Sequence, residues 1–287
     1  MSEKGVKNSS VLFFFFVIIA FFVSKGLYKS FFSNKKNAQK KANTKRIIVN
    51  KNQNANYSYS YEIPKYTKPR VHSQIIKHFA YTVDYNEEWL LPNWVAYSLT
   101  SDQTKGYVER YNKFVPDPKV RGASAQHWDY KNSGYERGHM VPAGDMKWNE
   151  TAMMECFYLS NICPQNPYLN EGDWNYLENR VRGWANYYGK VFVACGPIVT
   201  NIHKVIGRNC IAVPDYFYKV VLCNMNGEWN AIGFIMPNND KTRLLSAYCC
   251  SVDYVEEITG IDFFSALSDD IENKIEAKYD KNKWRIK

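Results

Sequence analysis

The sequence predicts an α+β fold in one folded domain, which extends over residues 74–287. Stretches in which apolar and polar residues alternate indicate strands, and stretches with apolar residues every three to four positions indicate helices. Both kinds of stretch intermingle along the domain, and no internal repeat is visible. At 287 residues and 45% hydrophobic content, the chain is long enough to bury a substantial core.

The formal net charge of +9 is concentrated outside this domain. Residues 1–70 contain 14 basic and two acidic residues, whereas the remainder contains 23 basic and 26 acidic residues. A phosphate-binding surface in the folded domain therefore has to be a local patch. The seven cysteines form no CxxC pair and no Cys/His cluster of zinc spacing, which argues against a zinc site.

The N-terminal segment 1–33 is predicted to be a membrane signal or anchor. Residues 11–23 are an unbroken apolar run, with Lys4 and Lys7 before it and Lys25 after it. This arrangement is typical of a segment that directs export. The lack of a small-x-small cleavage signal favours an uncleaved anchor over a secreted or periplasmic product, and basic residues on both flanks leave its orientation open.

Residues 34–73 are predicted to be a basic, disordered linker. Lys and Asn dominate its first part, residues 34–56, which is nearly free of aromatic residues. The folded domain is expected to begin near Gln74, where Phe79, Tyr81 and Val83 alternate with polar residues in the manner of a strand. Later elements follow the same patterns, with strands over 94–99, 191–194, 216–223 and 229–236 and helices over 252–259 and 263–278. Asn226-Gly227 predicts a tight hairpin turn between the last two strands.

The clearest helix pattern begins at Asn170, a residue type favoured at the position that caps a helix N-terminus. Apolar residues then recur at helical spacing, at Trp174, Leu177, Val181, Trp184 and Tyr188. Glu178 lies beside this apolar stripe and is expected to be partly buried, so its carboxylate needs a partner. A hydrated divalent cation is one such partner.

Residues 135–146 are predicted to form a site, because they place Arg137 and His139 on either side of Gly138. A histidine is neutral in large part near pH 7 and can accept a proton from water. An arginine suits a phosphate, and a glycine lets the backbone approach a ligand. From these residues alone, a structural histidine and an ion-paired arginine are equally good interpretations.

A longer series of motifs resembles the DNA/RNA non-specific endonuclease family. The family signature Asp-Arg-Gly-His stands here as Glu136-Arg137-Gly138-His139. The downstream family motifs follow in the same order, as Leu159-Ser160-Asn161-Ile162, Pro164-Gln165, Asn170, Trp174 and Leu177-Glu178. The similarity runs from about residue 79 to about residue 270, which makes it far more specific than a four-residue motif.

The resemblance implies a ββα-metal (His-Me finger) nuclease fold, with a central mixed or antiparallel sheet flanked by helices. It implies a metal-dependent endonuclease that hydrolyses phosphodiester bonds in DNA and RNA and leaves 5′-phosphate products. His139 would be the general base. Asn170 would be the direct protein ligand of Mg²⁺, for which Mn²⁺ could substitute.

The resemblance also assigns roles to the surrounding polar residues. Glu178 and Asn161 would hold metal-bound or nearby water, Arg110 would stabilise the transition state, and Arg137 would contact a phosphate. Gln165 would contribute to substrate binding. The oligomeric state stays open.

One residue departs from the family pattern, since Glu136 stands where the family has aspartate. Its carboxylate lies one methylene further from the backbone, so retained but altered activity is expected. Two alternative functions remain at this point: a membrane-tethered relative that binds nucleic acid with weakened catalysis, and a phosphodiesterase that acts on another substrate.

Overall fold

A seven-stranded sheet is the largest element of the computed structural model, which describes residues 60–200 and 204–286. The strands are β1 Lys65–Tyr66, β2 Gln74–Lys77, β3 Thr82–Asn86, β4 Leu91–Thr100, β5 Glu136–His139, β6 Ile162–Gln165, β7 Lys190–Ile198, β8 Val205–Ile206, β9 Ile211–Ala212, β10 Tyr216–Met225, β11 Glu228–Pro237, β12 Cys249–Cys250 and β13 Ile261–Asp262. The sheet has the order β12-β11-β10-β7-β4-β3-β2, and all of its neighbouring strands are antiparallel.

Helices cover both faces of this sheet. They are α1 Glu150–Glu155, α2 Asn175–Tyr188, α3 Val252–Thr259 and α4 Asp269–Glu276. Along β4, Val95, Tyr97 and Leu99 belong to the core that includes α2, whereas Trp94 and Ala96 belong to the core that includes α3 and α4. This alternation follows from the two-residue period of a strand. The predicted α+β class, with an antiparallel sheet flanked by helices, is confirmed.

The hairpin predicted at residues 226–227 is present between β10 and β11. Met225 pairs with Glu228, and Asn226 and Gly227 have φ angles of 55° and 96°. Asn and Gly are the residues that adopt positive φ most readily, so this turn closes the two long strands in register.

The folded part begins earlier in the chain than the sequence patterns suggested. Lys65 pairs with Asp262, and Tyr66 pairs with Ile261, in a small two-stranded sheet. Arg70 donates a hydrogen bond to the backbone carbonyl of Thr259 at 2.7 Å. Residues 60–73 therefore belong to the folded part, although their composition predicts a linker. These contacts join segments nearly 200 residues apart, and local composition does not report them.

Two local predictions need correction. The strand expected around residues 79–83 is two strands, β2 and β3, which pair across a turn closed by a hydrogen bond from His78 N to Tyr81 O. The helix expected over 263–278 is only α4, because Phe264 has a φ of 51° that a right-handed helix cannot contain. Phe263 and Phe264 are instead fully buried in the core beneath α3 and α4.

None of the helices in residues 60–200 and 204–286 is long and apolar enough to cross a membrane. The apolar run at residues 11–23, on which the anchor prediction depends, lies outside the described residues.

Candidate active site

A two-stranded hairpin and the helix that follows it build the site. Strand β5 pairs with β6, with Glu136 opposite Gln165 and His139 opposite Ile162. Because side chains alternate along a strand, Arg137 and His139 point to the same side of the hairpin. A cavity of about 360 Å³ on that side is lined by polar side chains from several segments, namely Arg110, Arg137, His139, Asn170, Glu178 and Arg182. The structure thus brings five of the seven predicted site residues together.

His139 lines this cavity as a neutral imidazole. Its ring packs between Phe114 and Phe157, with centroid distances of 5.3 and 4.8 Å. Burial, and then the charge of Arg110, lower the pKa of His139 to about 3, although a hydrogen bond to the backbone of Arg137 opposes the shift. The other ring nitrogen, Nε2, has no hydrogen-bond partner within the described part of the chain. An unprotonated nitrogen is therefore available to accept a proton.

Glu136 fixes the orientation of Asn170. The Asn170 Nδ2 group donates a hydrogen bond of 2.6 Å to Glu136 Oε2. With its nitrogen held in this way, the amide presents its oxygen as the free ligand atom. The Glu136 side chain thus reaches Asn170 from strand β5. Although glutamate replaces the family aspartate, a carboxylate is still in contact with the predicted metal ligand.

Asn170 does not cap the helix, contrary to the sequence prediction. It lies within a wide, π-helical turn over Leu169–Trp174, and its backbone N–H bonds to the carbonyl of Asn166. Gly172 has non-helical angles of φ −96° and ψ −106° at the junction with α2. Wide turns of this type recur at functional sites. Here the turn leaves the Asn170 side chain free to face Glu136 instead of the helix end.

Glu178 lines one side of the cavity. It is half-buried on the first turn of α2. Burial raises the pKa of Glu178 to about 7, and the ammonium of Lys219 is the strongest of the charges that oppose this shift. Near neutral pH the group therefore exchanges between its charged and neutral forms. A cation in the cavity would stabilise the charged form.

Four basic residues and one acidic residue line the cavity, which makes it the local positive patch that the charge distribution required. The Arg110 guanidinium lies 5.0 Å from the centre of the Phe157 ring, and its Nε donates to Asn112 Oδ1 at 2.9 Å. Arg137 is anchored through Nη2 to the carbonyl of His127 at 2.9 Å. Both arginines are thus held by contacts at one edge while they line the cavity, an arrangement suited to a phosphate.

Asn161 lies elsewhere than the resemblance implied. It is completely buried, and its side chain is committed to the backbone. The Oδ1 atom accepts from Val141 N at 2.9 Å, and Nδ2 donates to the carbonyls of Val141 and Cys156 at 3.0 and 2.8 Å. Asn161 therefore fixes the loop that follows His139, and no polar atom of its side chain is left to hold water in the cavity.

Gln165 is also turned into the interior rather than toward a substrate. Its side chain is fully buried and packs against Gly138 on the paired strand. A Cβ atom added to Gly138 would lie 2.2 Å from Gln165 Oε1, so any larger residue at this position would collide. The glycine of the signature thus makes room for this cross-strand contact, whereas the sequence prediction was that it lets the backbone approach a ligand.

Two further charged residues support the site, and neither is among the predicted site residues. Arg182 lines the cavity and forms an ion pair of 2.6 Å with Asp145, whose other oxygen accepts from Tyr97. Lys219 is completely buried, and its Nζ lies 4.4 Å from the centre of the Trp174 ring without a hydrogen-bond acceptor in the described residues. The available signal was a lysine within an apolar strand segment, which is rarely buried without a function.

The donor groups in the cavity fit a hard divalent cation. Asn170 offers an amide oxygen, Glu178 offers a carboxylate, and the remaining cavity volume can hold water. Mg²⁺ prefers such oxygen ligands and retains several waters, so one direct protein ligand is sufficient. The arrangement can combine a base, a cation and two anchored arginines around one phosphate.

Comparisons with known proteins agree with this geometry. Nuclease EXOG, mitochondrial, of Mus musculus is 35% identical over 225 residues, which are 71% of this chain and 61% of that protein. Endonuclease G, mitochondrial, of Bos taurus is 31% identical over 217 residues, which are 70% of this chain and 72% of that protein. The chain spans about three fifths of the length of the EXOG relatives.

A solved structure and a sequence profile lead to the same group of proteins. The crystal structure of the EndoG/EndoGI complex matches with a TM-score of 0.63 and 30% identity, over 69% of this chain and 88% of that chain. The profile of the DNA/RNA non-specific endonuclease family matches residues 60–270. This match covers more than half of the chain and includes the hairpin, the wide turn and α2. The chain therefore belongs to the DNA/RNA non-specific endonuclease family.

Proposed function

We propose that this protein is a metal-dependent endonuclease that hydrolyses phosphodiester bonds in DNA and RNA. One observation supports this most directly: His139, whose Nε2 has no hydrogen-bond partner in the described residues, lines the same cavity as Asn170, Glu178 and two arginines. A neutral base, an oxygen ligand for a cation and fixed positive charge are the groups that phosphodiester hydrolysis needs.

In this proposal His139 removes a proton from the attacking water. The hydrogen bond between its ring and the backbone of Arg137 fixes the tautomer, so that Nε2 is the accepting atom. A pKa of about 3 ensures that the ring is neutral at pH 7. A bound phosphate brings negative charge toward the ring and strengthens it as a base, because nearby negative charge favours the imidazolium form.

Asn170 is the residue that would hold Mg²⁺ directly, and Glu178 would hold water beside it. When bound, the ion supplies electrostatic stabilisation to the leaving 3′ oxygen and to a non-bridging phosphate oxygen. Mn²⁺ could take its place, since it also accepts oxygen ligands. Glu136 acts through Asn170, because its contact at 2.6 Å sets the direction of the amide oxygen.

Arg110 and Arg137 would bind the phosphate and the charge that develops on it. Both contacts are made to the backbone of the nucleic acid, which is common to DNA and RNA, so neither base sequence nor sugar type needs to be read. Attack by water with departure of the 3′ oxygen leaves 5′-phosphate and 3′-hydroxyl ends.

The roles of the two asparagines can be separated by matched substitutions. Asn170→Ala should raise the Mg²⁺ concentration needed for half-maximal activity, with little loss of stability, because its side chain is half-buried at the cavity. Asn161→Ala should lower the free energy of unfolding instead, since it leaves three buried backbone groups without partners. Urea unfolding and Mg²⁺ titrations of both variants measure these effects. If Asn161→Ala changed the Mg²⁺ dependence alone, the structural role would be wrong.

Residues 1–33 would carry the chain to a membrane, with anchoring or export as the outcome. The EXOG and endonuclease G relatives are named mitochondrial, so mitochondria are the second destination to test. Fractionation of cells that express the tagged full chain, followed by carbonate extraction, distinguishes an anchored protein from a released one. Recovery of all of the protein in the cytosol would contradict the targeting proposal.

The activity is tested by digestion of supercoiled plasmid and total RNA with the purified full chain in Mg²⁺. Cleavage of both polymers should disappear in EDTA and should fall by about 10²-fold or more in His139→Ala, as expected for loss of a general base. His72→Ala, which removes a more exposed histidine, should keep full activity. End labelling should detect 5′-phosphates. Binding without cleavage by the folded protein would support the weakened relative, and cleavage of small esters alone would support a different phosphodiesterase.

A further inference from the structure

A group of acidic side chains lies on the sheet face opposite the candidate active site. Asp253 and Glu256 lie on α3, and Glu276 lies at the end of α4, with one ligand oxygen of each within 4.8 Å of the others. Both helices pack on the core that includes Trp94 and Ala96, on the opposite side of the sheet from α2. No residue of this group lines the active-site cavity.

Glu276 is the central member of the group and is nearly inaccessible to solvent. Only 3% of this residue is exposed, and its Oε1 atom has no hydrogen-bond partner in the described part of the chain. A buried carboxylate oxygen without a donor is strongly destabilising unless a cation or a proton compensates it. Glu256 is already fixed on one side, because its Oε1 accepts from Phe263 N at 2.8 Å.

No neighbouring positive charge compensates the buried carboxyl group of Glu276 in the described residues. Burial, and then the charge of Glu256, raise the pKa of Glu276 to about 10, and Glu272, Asp253 and Asp262 add to the shift. Carboxylates that repel one another at a partly enclosed point form a site for positive charge. A metal ion would supply it.

We propose that Asp253, Glu256 and Glu276 form a Ca²⁺ site that ties α4 to α3. Ca²⁺ binds oxygen ligands at about 2.3–2.6 Å, so two ligands on opposite sides of the ion lie about 4.6–5.2 Å apart. Mg²⁺ usually keeps several waters and takes only one or two carboxylates, so a set of three protein carboxylates favours Ca²⁺. One oxygen of each of the three carboxylates lies within 4.8 Å of the others, which is within the span of a single Ca²⁺ coordination sphere. Exposure of Asp253 leaves room for water to complete the coordination.

The test measures Ca²⁺ binding to the full chain that carries Asn170→Ala, so that the catalytic cation does not contribute. Equilibrium dialysis with Ca²⁺ should give one bound equivalent. The midpoint of thermal unfolding should rise by about 5 °C at a Ca²⁺ concentration a hundred times the dissociation constant. Equal concentrations of Mg²⁺ should raise it less.

Matched variants in the same background decide the assignment. Glu276→Gln, which keeps the shape of the side chain, should abolish both the bound equivalent and the thermal shift. Asp253→Asn should weaken Ca²⁺ binding at least tenfold, and it decides the matter if Glu276→Gln does not fold. The control is Glu257→Gln, which changes an exposed glutamate of α3. This variant should retain the bound Ca²⁺ equivalent and the thermal shift.

Two results would overturn the proposal. The first is Ca²⁺ binding that is equal in Glu276→Gln, Asp253→Asn and the control. The second is an absence of Ca²⁺ binding to the parent chain. A higher thermal midpoint in Glu276→Gln would then show that a proton satisfies the buried carboxyl group. A thermal shift that is equal with Mg²⁺ would overturn the assignment to Ca²⁺.

Discussion

The buried state of His139 predicts a specific loss of stability in acid. The folded protein holds this imidazole with a pKa of about 3, whereas the ordinary value is 6.5. Between these two values the unfolded chain binds a proton that the folded protein does not bind. Stability therefore falls as the pH decreases from 6.5 toward 3, and it rises with pH across the same window.

The size of this effect follows from the shift. One pKa unit corresponds to about 1.4 kcal/mol, so at pH 5 the folded state loses about 2 kcal/mol through this one group. At pH 3 the loss is about 4 kcal/mol, and below pH 3 it approaches about 5 kcal/mol. At pH 7.5 the contribution is close to zero, because the imidazole is neutral in both states.

The assay is urea unfolding, followed by tryptophan fluorescence, at pH 7.5 and pH 5.0. The variant is His139→Asn, whose amide nitrogen can keep the hydrogen bond to the Arg137 backbone but does not titrate. Its free energy of unfolding should fall by about 2 kcal/mol less than that of the wild type between the two pH values. His127→Asn removes an exposed histidine and should keep the wild-type pH dependence. Equal pH dependence in His139→Asn and the wild type would refute the buried, neutral imidazole.

Three further substitutions test separate contacts. Glu136→Asp should raise the half-maximal Mg²⁺ concentration for cleavage about tenfold, since the shorter side chain loses its 2.6 Å contact with Asn170; an unchanged Mg²⁺ titration would assign Glu136 a structural role only. Gly138→Ala should lower the free energy of unfolding by about 1–3 kcal/mol, because the added Cβ collides with Gln165 on the paired strand. The control Gly183→Ala, in open space on α2, should raise the free energy of unfolding by up to about 1 kcal/mol. Comparable urea midpoints in the two variants would argue against the collision. Lys219→Met removes the charge that most opposes the raised pKa of Glu178. The acidic limb of the profile of cleavage rate against pH should therefore move to higher pH, and the rate at pH 6.5 should fall about tenfold. A rate that falls by the same factor at every pH would contradict this.

Local sequence information was sufficient for several elements of the fold. Asn226-Gly227 specified a hairpin because few residues accept positive φ. The apolar stripe through Leu177, Val181 and Trp184 specified α2, because helical spacing brings these residues to one face. The ordered motifs from Glu136 to Glu178 specified the family and the fold, which the comparisons confirmed.

The positions of individual side chains required the tertiary structure. Asn161 and Gln165 belong to recognisable motifs, yet both are buried by contacts with a neighbouring strand or loop, which no local pattern encodes. The contact of Glu136 with Asn170 depends on the path of a wide turn across the hairpin. Lys219 adds a charge to the site from a strand more than 30 residues further along the chain.

The sequence by itself determined the secondary-structure periods, the sharp turns and the set of chemical groups available for a site. These properties depend on neighbouring residues and on the conformations that each residue type allows. The tertiary structure decided which of those groups face the cavity, which are buried as supports, and where the chain from residue 60 to residue 73 joins the fold. Burial and electrostatic environment arise from segments that are distant in sequence, so they exist only once those segments have packed together.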